Sequence, residues 1–437
     1  MALALDRAEL EGQRISRAGY IGPVTSLHFL TDSTSILLAG CGPFVRSFVV
    51  ASGRRAFADV EALPGSRVHG FYSVGSVDGA ERVVVWGQKF LSILDVPTAN
   101  DSKQQIRVVL PSVCLEDWVF DVILVKGKQL ENAVDAELYE QYKNEGMFAV
   151  GFAHNYVGMF DTKFQSCFCR SFSTDRSLLY SFSFLHDDNG VDGQLAAASG
   201  TIYSHVVVWR PFLKSAESEN GKEVVADSKL TGHEGVIFKV RWSDGADEII
   251  SVSDDRTLRL WRREESRKEN EGEERASPFS FRCAGIFVGH SARLWDGVRC
   301  GDVLVSASED CTCRVWSRQT HLTETAINKR GTEVSKLLAH TGKGVRSIAV
   351  KGSVMASGGD DGQIKLWDVL EEVERAKLAG NSPNGEGETS IAHHTFAIPS
   401  LPVDLAELAM KGEAKRGGRA GKNKKKRDKK KKRDGEM

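Results

Sequence analysis

Three stretches of this 437-residue chain repeat one skeleton of polar residues at nearly fixed spacing. Gly232-His233 leads to Ser251, Asp255 and Trp261; Gly289-His290 to Ser306, Asp310 and Trp316; Ala339-His340 to Ser357, Asp361 and Trp367. In every copy the Asp lies six residues before the Trp and the Ser four before the Asp, with the His about twenty upstream. Such a period constrains the fold more than any single motif, because a repeated unit has to bury its apolar face against its neighbours. The residue types explain the recurrence. A His in a loop, a Ser on a strand, an Asp in the next turn and a Trp on the following strand can link into one buried hydrogen-bond chain. Each link is worth roughly 1 kcal/mol net, and an orphaned buried member costs about 1–3 kcal/mol. These residues are therefore read as a structural frame.

The spacing resembles that of WD40 repeats, in which each copy forms one four-stranded blade of a β-propeller. Working outward from the three clear copies, at 230–262, 287–317 and 336–368, four divergent ones show three β-rich bursts separated by turn residues. They fall at 21–50, at 66–96, from Asp117 to the MFAVGFAHNYVGMFDT segment, and from Ser177 to Trp209. The expected fold is all-β, a seven-bladed propeller over residues 1–370 whose closure leaves no sheet edge inside the ring. The first twenty residues are expected to supply the outermost strand that latches last blade to first. A polar, helix-prone insertion near 128–145 is expected to project from the third blade, and 262–278 reads as a solvated charged loop. Residues 371–410 read as a linker holding a short apolar patch, HTFAIPSLPVDLAEL, and 411–437 as a disordered tail.

Net charge conceals an asymmetry. The tail holds fourteen Lys/Arg against four Asp/Glu, a charge of +10, so a chain of net −1 carries −11 elsewhere. With no apolar residue to bury, the run at Lys424, Lys425, Lys426, Arg427, Lys429, Lys430, Lys431, Lys432 and Arg433 reads as a nucleic-acid contact, a nuclear-import signal or a solubilising end. The eight cysteines form no CxxC pair, and no His stands at zinc-ligand spacing, so they read as reduced thiols of a cytoplasmic protein. Asp6 and Arg7 interrupt the N-terminus too early for a signal-peptide core, and no apolar run reaches the roughly 20 residues that span a bilayer.

The inventory of catalytic motifs is short. The chain has no GxSxG, HExxH or Walker loop and no GxGxxG between strand and helix, so no nucleophile, metal or cofactor site is assigned. The informative residues stand where each blade's innermost strand begins, around one mouth of the central channel. They are His69; Asp117, Trp118 and Asp121; Asp175 and Arg176; Glu234 and Phe238; Arg293 and Trp295; Lys343 and Arg346. Charged and aromatic groups recurring there are read as a composite docking face for a partner protein or tRNA.

Seven segments carry a closer resemblance: DWVFDV at 117–122, AHNYVGMFD at 153–161, STDRSLLYS at 173–181, GHEGVIF at 232–238, GHSARLW at 289–295, SEDCTCRVWS at 308–317 and GKGVRSIAV at 342–350. In these the chain resembles the N-terminal propeller of the WD repeat-containing protein 6 family, over roughly residues 20–368. GHSARLW followed by EDCTCRVW is the most specific part, since a generic repeat needs neither Ser-Ala-Arg after the His nor the two cysteines. The resemblance implies a non-catalytic subunit. Its partner would be an FtsJ-like methyltransferase that uses S-adenosylmethionine to methylate the wobble ribose of certain tRNAs, with this chain binding and positioning the tRNA. Family members carry further propellers, so the expectation is of a shortened relative or a partial product, with the basic tail where a second propeller would start. The alternative reading is a general interaction propeller, such as a ubiquitin-ligase receptor or trafficking adaptor, without an RNA role. An enzyme in its own right is the third.

Overall fold

The computed structural model describes residues 22–31, 36–99, 104–186, 193–213, 223–243, 245–264, 279–318, 331–341, 344–380 and 394–397. Short strands dominate, for the reason visible in their sequences. In five of the seven blades the second strand, such as Ile36–Cys41 (ILLAGC), Met147–Phe152 (MFAVGF) or Val303–Ser308 (VLVSAS), is buried at every position. Burial on both faces favours a continuous run of apolar and small residues. Outer strands face solvent on one side and alternate instead, as Cys167–Ser173 does.

These strands form seven sheets, one per blade. Blade 1 runs from Val24–Phe29 to Val60–Glu61, blade 2 from Gly70–Val77 to Arg107–Cys114, and blade 3 from Val119–Val125 to Cys167–Ser173. Blade 4 runs from Leu179–Phe184 to Ser228–Leu230, blade 5 from Ile237–Trp242 to Phe281–Val288, blade 6 from Leu294–Cys300 to Glu333–Leu337, and blade 7 from Val345–Lys351 to His394–Ala397. Blade 3 gains a fifth strand, Glu223–Val224, lying parallel to its outer strand. The apolar clusters lie between blades: Leu38, Val45, Val83 and Leu94 join blades 1 and 2, and Val305, Val315, Ile348 and Trp367 join blades 6 and 7. Each sheet therefore buries its faces only because a neighbour stands on either side. Where the ring meets itself, Lys351 of blade 7 donates to the carbonyls of Leu30 and Thr31 in blade 1, the latter at 2.9 Å.

Two details differ from the sequence-based expectation. The fourth strand of blade 7 is His394–Ala397, from within the apolar patch of the segment read as a linker. Between it and the third strand lies a helix, Val369–Gly380, begun by Asp368, whose carboxylate accepts from the Leu370 and Glu371 N–H groups. The insertion in blade 3 forms two helices, Gly127–Ala133 and Ala136–Tyr142, but it folds back rather than projecting. Leu130 and Val134 are buried among Met147, Phe184 and Trp209, and Asn132 donates to the Gly193 carbonyl at 2.7 Å. The first twenty residues, the 411–437 tail with its lysines and arginines, and Lys343 lie outside the described residues.

Candidate functional site

The polar skeleton joins as one chain in blades 5, 6 and 7. In blade 6 the Trp316 indole N–H donates to Ser306 Oγ at 2.8 Å, His290 Nε2 lies 2.8 Å from the same oxygen, and His290 Nδ1 lies 2.8 Å from Asp310. Blade 5 repeats this with Trp261, Ser251, His233 and Asp255 at 2.7–2.8 Å, and blade 7 with Trp367, Ser357, His340 and Asp361 at 2.9–3.1 Å. Gly232 enters the first complete copy at φ +140°, a backbone that a side chain would strain. Burial pushes the Asp255 and Asp310 carboxyls up. Hydrogen bonds from the paired His, from Thr257 or Thr312 and from backbone N–H groups outweigh it and hold both well below the usual carboxylate range. Burial likewise keeps His233 and His290 below their ordinary value. Each His, Ser, Asp and Trp of these chains is thus hydrogen-bonded to its neighbour, as a structural frame requires.

Blades 3 and 4 hold their loops by the same pairing with the partners exchanged. Asp117, in the loop entering blade 3, accepts from His154 Nδ1 at 2.8 Å; Asp175, entering blade 4, lies 3.0 Å from His205 Nε2 and also accepts from Lys229 at 3.2 Å. The acid therefore stands on the entering loop and the histidine on the turn, the reverse of His290–Asp310. Blade 4 keeps the Trp–Ser pair as Trp209 and Ser199, 3.0 Å apart, and Asn155 of blade 3 accepts from Ser199 at 2.9 Å in place of the missing histidine. This corrects part of the docking face. Asp117 and Asp175 are latches turned into the loops, and Asp121 is buried in the channel wall, where it accepts the Phe184 N–H at 2.8 Å. Arg176 is exposed, but it pairs with Glu223 and lies 5.0 Å over Phe172.

Of the remaining residues, Phe238, Arg293, Trp295 and Arg346 lie against one another. In six of the seven inner strands the residue after the first is a β-bulge, left without a cross-strand partner: Thr25, Phe120, Tyr180, Phe238, Trp295 and Arg346. A bulge re-aims the extra side chain, and here it recurs at the same place in six of the seven blades. From blade 4 to blade 7 the side chains touch in a row. The Tyr180 and Phe238 rings are 4.9 Å apart, Phe238 and Trp295 4.5 Å, and the Arg346 guanidinium lies 4.0 Å over Trp295. Arg293 lies 5.8 Å from both Phe238 and Trp295 and bridges Asp254 at 3.2 Å and Glu309 at 2.9 Å, while Arg346 pairs with Asp360 at 2.8 Å. Glu234 is exposed beside blade 5, and across the mouth Trp118, 42% exposed, meets the half-buried His69 edge-on at 6.5 Å. Tyr180 escaped the sequence reading because nothing but its register marks it.

Among the described residues, one arrangement between blades 1 and 2 invites a catalytic reading. His28 Nε2 lies 2.7 Å from Ser73 Oγ, which donates to the buried Glu81 carboxylate. Burial, the largest influence, brings His28 down to about 4, and the Ser73 proton is already committed to Glu81, so the histidine does not activate the hydroxyl. Burial also raises the Cys41 and Cys300 thiols to about 11, away from thiolate chemistry. Among the described residues no group of three or more His, Cys, Asp or Glu could hold a metal ion, and no helix is long and apolar enough to cross a membrane.

The family model "WD domain, G-beta repeat" matches residues 226–262, 281–317 and 331–368, the three blades with the complete hydrogen-bond chain. The chain carries WD40 repeats. Over 400 residues, 89% of its length, this WD40 propeller is 28% identical to the tRNA (34-2'-O)-methyltransferase regulator WDR6 of Mus musculus. The proteins of the same name from Homo sapiens and Rattus norvegicus are 27% and 26% identical over the same length. The chain spans about 30% of the length of these relatives. The crystal structure of the computationally designed Ika8 protein aligns with a TM-score of 0.49 at 16% identity, covering 86% of this chain and 87% of that one.

Proposed function

We propose that this WD40 propeller is a non-catalytic scaffold subunit of a tRNA 2'-O-methyltransferase. It docks an FtsJ-like enzyme and fixes the tRNA so that the wobble ribose meets the methyl donor. The observation that carries this reading is the reach of the likeness to the methyltransferase regulators: it extends over 89% of the chain, far beyond the three repeats that the family model matches. The described polar groups support it in kind. Histidines, serines and acids of the repeats are hydrogen-bonded to one another, while aromatic and charged side chains collect at a rigid mouth. A rigid body that holds an anticodon loop and an enzyme in register lowers the entropic cost of their reaction without contributing a reacting group. Folded RNA is read largely through shape, phosphates and 2'-hydroxyls, which suits a broad surface.

The test is affinity purification of the tagged chain from its own cells, with partners identified by mass spectrometry. An FtsJ-like methyltransferase should co-purify at near-equal amount and survive nuclease treatment. Its absence under mild salt would overturn the reading.

A further inference from the structure

We infer that the channel mouth between blades 4 and 7 receives a protein segment, one that presents a large apolar or aromatic side chain beside a Lys or Arg, and that RNA is held elsewhere. The inference deepens the proposed function and rests on it in one respect: on that reading the segment belongs to the methyltransferase.

Three observations point to this occupant. The first is the row Tyr180–Phe238–Trp295–Arg346, continuous across four blades and open at Tyr180, which is 46% exposed. Tyr, Trp and Arg held in a rigid cluster are the residues that anchor protein interfaces. The second is charge. The two arginines of the cluster, Arg293 and Arg346, contact three carboxylates, Asp254, Glu309 and Asp360, and so carry a net charge of −1 as a group. A phosphate would have to displace those carboxylates and then sit beside them, whereas a Lys or Arg of a partner meets unbalanced acid directly. The third is the Trp295 indole N–H, which is buried with no hydrogen-bond partner among the described residues. The donor has almost no exposed area, so a peptide carbonyl laid along the row satisfies it with a small outward shift of the ring or of the side chains against it. The acidic rim and the orphan donor thus ask for a basic side chain and a backbone oxygen, and a polypeptide supplies both within three residues.

The experiment uses the full chain and four probes: a purified FtsJ-like methyltransferase of the same organism, an unmodified tRNA transcript, and two labelled nine-residue peptides with Arg-Phe-Arg or Glu-Phe-Glu at the centre. The Arg-Phe-Arg peptide should bind at least about tenfold more tightly than its acidic counterpart, and Glu309→Lys should erase that preference. Trp295→Ala and Tyr180→Ser should each weaken the basic peptide and the methyltransferase by about 30-fold, leaving tRNA affinity within about twofold. Tyr180→Ser is the milder variant, since its ring meets Phe238 only edge-on, and an unchanged melt shows that the ring is intact. Equal binding of the two peptides, no binding of either, or a loss of tRNA in Trp295→Ala would overturn the inference. A methyltransferase that ignores the wild-type chain removes the proposed function and leaves the peptides to decide the docking site. One that binds wild type and both variants alike overturns the docking site alone.

Discussion

Asp296 ties three blades together, and removing it tests whether the ring holds as one unit. Its buried carboxylate, in blade 6, accepts two bonds from Arg241 Nη2 of blade 5 at 2.8 and 2.9 Å and one from the Ile348 N–H of blade 7 at 3.0 Å. Asp296→Ala orphans the Ile348 N–H, at about 1–3 kcal/mol, and strands a guanidinium. Breaking a fully buried ion pair costs about 3–5 kcal/mol, but Arg241 is 32% exposed, so water recovers part of that. The expected total is about 3–5 kcal/mol. For a propeller of this size, unfolding entropy of about 2 cal/mol/K per residue converts this to a fall of roughly 5 °C in Tm. Asp296→Asn keeps an acceptor for Ile348 and should lose about half as much. The assay is thermal and urea unfolding of both variants with the Arg241→Met and Arg241→Met/Asp296→Ala partners of a double-mutant cycle. The reasoning is refuted if Asp296→Ala falls within about 1 kcal/mol of wild type, or if the cycle is additive.

Three other outcomes follow from the same structure. Ser306→Ala leaves both Trp316 Nε1 and His290 Nε2 without a partner and should destabilise by about 2–4 kcal/mol in one cooperative transition, read by calorimetry. Stability should fall as pH drops below the unfolded-histidine pKa of about 6.5, because His28, His233 and His290 are held below it and the unfolded chain binds the extra protons. With His28 brought down to about 4, that residue alone accounts for at most about 2 kcal/mol at pH 5, and melts of His28→Gln should show a flatter pH dependence. The depressed Asp255 and Asp310 add acid sensitivity only below about pH 4, as pH falls towards their folded values. Deleting 411–437 removes fourteen Lys/Arg and should weaken tRNA binding and reduce its salt slope by at least about one unit; an unchanged slope would exclude the tail from RNA contact.

The seven blades were legible because three copies carry the full polar skeleton and the other four keep strands of similar spacing. What stayed hidden depends on exchange and register. Asp117 and Asp175 read as surface charges because the entering loop carries His in the complete copies; their partners, His154 and His205, gave no signal without knowing that acid and base had traded places. The bulges at Tyr180, Phe238, Trp295 and Arg346 come from cross-strand register, which a single strand's sequence does not encode. His394–Ala397 was obscured by its distance from the rest of blade 7, with a helix in between. The insertion's helices were visible in composition, but their burial depends on Leu130 and Val134 finding blades 3 and 4.

The central claim, a propeller that serves wobble-ribose methylation through a partner enzyme, is tested most directly by one measurement. It is the 2'-O-methylation of nucleotide 34 in tRNA from cells lacking this chain, quantified by mass spectrometry and compared with cells in which the full chain is restored. The account predicts loss of the modification on a subset of tRNAs and its recovery with the wild-type chain. Unchanged methylation at that nucleotide in the deleted cells would contradict it.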